Sequence, residues 1–453
     1  SEPSEPGSYA DEEEQAEYER KMAEYEAAAE SAGHTYVPAD AQWSEDGATV
    51  SFRKLVCSNI CPTRKPYLDA LLNDETITVT LAEEDEDPIT VKGELQGYEG
   101  TCADGAVAVY VASGEVKGYA FTATNKVQLE RGKHVFDDEG ICEICGAGEI
   151  RRIYGKTRYE TSFAIADELK DTLEVETFDT IIVANGANFP DALAGSYLAA
   201  QKNAPILLTQ EKMDADVLAY VRENLSKGGK VYILGGTAAV SQAFEDGLKE
   251  AGITSERLSG KTRYDTGLKI LEKAGLNGNE ILVCTGESFA DALSVSAAGR
   301  PILLVKGTDI KLTAAQEEYL KTLEGDYTFY IIGGTAAVSA DLETALEAYG
   351  NVERISGKGR YETSVAVAEK FFKNVKKVAL AYAMDYPDGL CGGTLACKLG
   401  APVLLVKPGQ ESAAAAYVAK NGIKQGVIFG GSGRITDDSV RTVFGLSEDA
   451  VIG

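Results

Sequence analysis

The chain repeats itself three times, and that repetition limits its fold more than any other feature. Arg-Ile-Tyr-Gly-Lys-Thr-Arg-Tyr-Glu-Thr around Gly155 returns as Arg-Leu-Ser-Gly-Lys-Thr-Arg-Tyr-Asp-Thr around Gly260. It returns again as Arg-Ile-Ser-Gly-Lys-Gly-Arg-Tyr-Glu-Thr around Gly357, so the anchors lie 105 and 97 residues apart. Three further landmarks follow each anchor in the same order. They are Phe189-Pro190-Asp191, Phe289-Ala290-Asp291 and Tyr386-Pro387-Asp388; the segments 205–208, 301–304 and 402–405; and Gly235-Gly236-Thr237, Gly333-Gly334-Thr335 and Gly430-Gly431-Ser432. A period of about 100 residues suits one small domain per copy.

Within a copy the pattern alternates. A helical stretch follows the Arg-Tyr motif, with Thr161, Thr266 or Thr363 placed to cap it. Short β-branched runs such as Thr180 to Ala184, Pro205 to Leu208 and Val231 to Leu234 read as buried parallel strands. Strand–helix alternation predicts three tandem α/β, Rossmann-like units with parallel sheets, spanning 150–252, 253–351 and 352–453.

These motifs resemble the type 2 cell-wall-binding repeats of Gram-positive surface proteins, over about residues 150–453. The resemblance implies a pseudo-three-fold arrangement and an extracellular protein held non-covalently on the wall through anionic, teichoic acid-like secondary polymers. It ties polymer binding to Pro205, Ile206, Leu207 and Leu208, to Pro301, Ile302, Leu303 and Leu304, and to Pro402, Val403, Leu404 and Leu405. The repeated Arg158, Arg263 and Arg360 are binding candidates by charge. Ion pairing with Asp191, Asp291 or Asp388 is the stronger expectation for them, because paired charges are often structural. The Pro-Ile-Leu-Leu runs must be largely core, with only their ends free to meet a ligand. Departures at Val403, Gly359 and Gly430–Gly433 make the third copy the expected weak site.

The first third differs. Residues 1–150 hold 32 acidic and 11 basic side chains, against 39 and 33 in the remainder. Residues 1–33 read as an acidic helical or disordered segment, and 34–149 as a small β-rich module with strands at 49–52, 76–80 and 107–111. A net charge of -27 argues against nucleic acid as partner, and no apolar run reaches the ~20 residues of a membrane span. The chain begins at Ser1 rather than Met, so a missing leader is no argument for the cytoplasm.

Both histidines precede a close cysteine pair. His34, Cys57, Cys61 and Cys102 supply four ligands for one structural zinc. His134, Cys142 and Cys145 supply three for another, with Asp137 or a group from elsewhere to finish it. Disulfides are the competing reading in an exported protein, although five cysteines leave one over. The repeats contain no histidine, which excludes Ser-His-Asp and Cys-His catalysis within them. An anchor without enzymatic activity is expected, ahead of a self-assembling surface-layer protein and of a wall hydrolase or hydrolase modifier.

Overall fold

The computed structural model describes residue 20, residues 35–58 and 78–447, and residues 450 and 452. Apart from Arg20, which is helical, the acidic segment 1–33 lies outside the described residues. The chain divides into two compact units, Ser1–His134 and Val135–Gly453.

The first unit is β-rich. One sheet runs in the order Thr78–Thr80, Lys54–Cys57, Tyr36–Pro38, Tyr119–Gln128, Val107–Val116, Glu94–Glu99. A second has Gln42–Trp43, Thr49–Phe52 and Ile89–Lys92. Strict alternation along Thr49–Phe52 buries Val50 and Phe52, and the Phe52 ring meets Phe121 of the larger sheet at 4.9 Å. Two sheets therefore share one small apolar core, as alternating strands require.

The second unit holds three four-stranded parallel sheets, one for each repeat. The first runs Ile206–Thr209, Phe178–Asn185, Leu225–Leu234, Thr254–Leu258. The others run Ile302–Val305, Glu280–Thr285, Thr328–Ile332, Asn351–Ile355 and Val403–Val406, Lys377–Tyr382, Gln425–Phe429, Ile150–Ile153. The fourth strand of each sheet comes from the start of the next repeat in sequence. For the third sheet it comes from Ile150–Ile153, at the start of the first, paired in parallel with Gln425–Phe429. The triplet is therefore closed into a ring, although the chain is linear.

Each helix after the Arg-Tyr motif begins earlier than the threonine pattern suggested. Thr157 and Thr262 are the N-caps, each in a capping box with Glu160 or Asp265, while Gly359 caps the third helix without a side chain. Thr161, Thr266 and Thr363 are buried instead and accept the N–H of Gly155, Gly260 and Gly357 at 3.0–3.1 Å. A Cβ at any of these glycines would collide with the residue five positions on, Glu160, Asp265 or Glu362. The Gly-x-x-Arg-Tyr-x-Thr spacing is thus the geometry of one tight turn into a helix.

A single core cluster runs through residues of all three repeats, from Ile181 and Leu193 through Leu282 and Leu293 to Leu390 and Phe429.

Candidate functional site

The pseudo-three-fold centre is aromatic. Phe189, Phe289 and Tyr386, one from each repeat, pack with ring centroids 5.5–6.1 Å apart. Tilted and edge-on contacts at this spacing are favourable beyond the area they bury. Over each ring lies the motif arginine of another repeat: Arg263 over Phe189 at 5.8 Å, Arg360 over Phe289 at 5.6 Å, Arg158 over Tyr386 at 6.0 Å. Each guanidinium also donates to a carbonyl of its own repeat, at Gly186, Gly286 or Ala383. The three expected binding arginines are therefore half-buried clasps across the seams. Among the described residues none reaches the loop aspartates within ion-pair distance.

Those aspartates are largely buried. Burial raises the pKa of Asp191, Asp291 and Asp388; the nearest arginine opposes it, Arg263 and Arg360 for the first two, Arg434 then Arg158 for the third. Asp291 is pushed up to about 6. Each carboxylate lies against the first glycine of its repeat's Gly-Gly turn, leaving no room there for a Cβ. Those glycines, Gly235, Gly333 and Gly430, sit at φ +93°, +103° and +104°. Their N–H groups are taken by Leu258, Ile355 and Ile153 of the incoming fourth strand.

A raised folded-state pKa means that folding favours the protonated carboxyl. Its contribution is full below the unfolded value and lost as pH rises through the folded one. The melting temperature of the repeat unit is expected to rise by several degrees between pH 7 and pH 5. Asp291→Asn should flatten that rise, as checked by melting curves across the range.

The Pro-Ile-Leu-Leu segments and their third-copy equivalent are interior strand. Ile206, Leu207, Leu208, Ile302, Leu303, Leu304, Val403, Leu404 and Leu405 are all at most 2% exposed, and Pro205, Pro301 and Pro402 are buried too. What each repeat does expose is the lysine beside its arginine: Lys156, Lys261 and Lys358. Sequence reasoning missed a second arginine set. Arg152, Arg257 and Arg354 open each motif, ride on the exchanged strand, pair with Asp437, Glu245 and Glu343, and donate to the Gly430, Gly235 and Gly333 carbonyls. Their signal was their constant place two residues before the position that becomes Tyr154, Ser259 or Ser356.

A cavity of about 690 Å³ opens at the seam of the first and third repeats, lined by Lys156, Arg158, Gln210, Asp388, Gly433 and Arg434 among others. Of the third-copy departures, Gly431 and Gly433 line this cavity, while Val403 and Gly359 do not.

One His/Cys group of the described residues could hold a metal. Cys102, His134, Cys142 and Cys145 each offer a ligand atom, all within 4.8 Å of one another. The Cys142-x-x-Cys145 turn is closed by the Gly146 N–H donating to the Cys142 carbonyl at 2.8 Å. Asp137, the carboxylate considered for this group, accepts instead from the backbone of Glu139 and Ile141. The group from elsewhere is Cys102, which spacing had assigned to His34, Cys57 and Cys61. Of those three, Cys57 is a buried strand residue, while His34 and Cys61 lie outside the described residues.

Comparison with known proteins agrees with this architecture. The sequence matches the family Cell wall binding domain 2 (CWB2) over residues 152–245, 257–343 and 354–440. The chain belongs to that family, and its place is the cell surface or wall. The N-acetylmuramoyl-L-alanine amidase LytC of Bacillus subtilis (strain 168) is 30% identical over 254 residues, 55% of this chain and 48% of that protein. The amidase enhancer of the same organism is 31% identical over 273 residues, 60% of this chain and 36% of that protein. The chain thus spans about half or less of the curated relatives it matches. Among solved structures, Cwp8 from Clostridium difficile superposes with TM-score 0.58 at 24% identity, covering 76% of this chain and 59% of that one. Cwp6 from the same organism gives 0.56 at 19%, covering 93% and 68%. These likenesses bear on the fold. No helix of the described residues is long and apolar enough to cross a membrane.

Proposed function

We propose that the three repeats hold a surface protein non-covalently on a Gram-positive wall by binding an anionic secondary wall polymer, with the N-terminal module displayed outward. The observation that carries this reading is the threefold match to a cell-wall-binding family, with an exposed lysine at the same place in every copy. On this reading Arg158, Arg263 and Arg360 keep the seams in shape. The strands at 205–208, 301–304 and 402–405 act through the residues that follow them, such as Gln210. The repeats carry no histidine, which favours anchoring over hydrolysis. Polymer held by exposed lysines is screened by salt. Raising NaCl from about 0.05 M to about 0.5 M should release the chain from isolated walls; salt-independent retention would count against the reading.

The ligand set of Cys102, His134, Cys142 and Cys145 supports one structural zinc. Three thiolates and an imidazole are a soft, four-coordinate set that suits zinc and leaves no open position for catalysis. Metal analysis should give one zinc per chain, lost in Cys142→Ser. A strong chelator should loosen residues 101–148 in hydrogen exchange and leave the repeat sheets protected. Identical exchange with and without chelator would remove zinc from the account.

A further inference from the structure

The three seams between repeats are built on one plan, but one of them carries residues that the other two lack. Where the first motif has Tyr154, the second and third have Ser259 and Ser356. Tyr154 is 57% exposed, and its ring faces Gly431, one of the residues lining the seam cavity. The matching glycines of the other turns, Gly236 and Gly334, face open space with nothing within 4 Å of a built Cβ. Two residues past Gly431 the third copy reads Gly433-Arg434, where the others read Ala238-Ala239 and Ala336-Ala337. The Arg434 guanidinium pairs with Asp385 at 2.5 Å and lies 5.7 Å from the centre of the Tyr382 ring, so it is fixed in place yet 38% exposed. Asp385 is itself peculiar to the third copy, replacing Asn188 and Ser288. The central ring differs too: Tyr386 replaces phenylalanine and donates its hydroxyl to the Ala187 carbonyl at 2.6 Å, tying the third repeat to the first beside the cavity.

Two of these differences add exposed recognition groups, the Tyr154 ring and the Arg434 guanidinium, while Asp385 and Tyr386 hold them in place. An exposed aromatic face suits the C–H face of a sugar ring. Lys156, exposed and without a carboxylate in ion-pair range among the described residues, and the fixed Arg434 suit the negative charge that the sugar carries. We propose that the seam between the first and third repeats is a specialised site for one charged sugar unit of the polymer, and that the other two seams are not its equals. This rests on the anchoring reading and deepens it. The third copy, whose departures looked like decay, then supplies half of the strongest site.

The test writes the other seams' residues into this one. Tyr154→Ser and Arg434→Ala install what the equivalent positions already hold, and Lys156→Ala is compared with Lys261→Ala and Lys358→Ala. Each full-length variant is titrated against isolated Gram-positive walls, with melting temperature as control. Tyr154→Ser and Lys156→Ala are expected to weaken binding roughly tenfold or more at unchanged melting temperature, and the other two lysine variants less than about twofold. Arg434→Ala should also lower affinity, but its pair with Asp385 makes Tyr154→Ser the cleaner variant. Equal losses from all three lysine variants would mean three equivalent sites and overturn the specialisation. Wild-type binding by both Tyr154→Ser and Lys156→Ala would overturn the seam and leave the anchor intact. A wild-type chain that binds no wall would remove the anchor and this site together.

Discussion

Arg263→Glu should cost the repeat unit about 3 kcal/mol, because it removes a charged hydrogen-bond donor and a ring contact from the seam and sets a second negative charge near the largely buried Asp191. The guanidinium lies over Phe189, donates to the Gly286 carbonyl at 2.7 Å, and is the charge that opposes the burial of Asp191. Reversal leaves the carbonyl short of a donor, removes the cation–π contact and turns the field at Asp191 repulsive. The melting temperature should fall by roughly 10 °C. Lys156→Glu, exposed at the matching place in the first repeat, should leave it unchanged and weaken wall binding instead. The opposite pattern, a stable Arg263 variant that no longer binds walls, would return the arginines to the role of polymer ligands.

The second large effect tests ring closure. Ile153 is 6% exposed and lies in register with Phe429, a strand neighbour 276 positions away in sequence. Ile153→Asp puts a carboxylate into that contact and weakens the pairing that completes the third sheet. A loss on the order of 4 kcal/mol is expected. Its location matters as much as its size. Hydrogen exchange should show amides of Gln425–Phe429 losing protection, while Phe178–Asn185 in the first sheet keeps its own. Damage confined to the neighbourhood of Ile153 in sequence would mean that the ring is open.

Much of this was readable beforehand, for identifiable reasons. Buried parallel strands announce themselves as apolar runs, so Ile181–Ala184 and Ile206–Leu208 were plain. The exchanged strands were not. Thr254-Ser-Glu-Arg-Leu258 and Asn351-Val-Glu-Arg-Ile355 are edge strands with charged outward residues, and nothing local says which sheet they join. The arginine motif was legible as a feature, while its partner was not. A cation over the aromatic ring of another repeat is a tertiary fact, set by how three units meet. Thr161 and its equivalents were mistaken for caps because threonine suits both an N-cap and a buried acceptor, and only the turn at Gly155 separates the two. The metal ligands were mostly legible as residues, but their grouping was not. Cys102 stands between two cysteine pairs, and spacing favours neither until the fold brings it to His134.

If three ring-closed repeats anchor the chain through an anionic wall polymer, the decisive measurement is co-sedimentation with purified Gram-positive walls before and after their anionic polymers are stripped. The chain should bind intact walls and lose that binding on stripping. Binding that survives stripping, or its absence from every wall tried, would contradict anchoring through such a polymer.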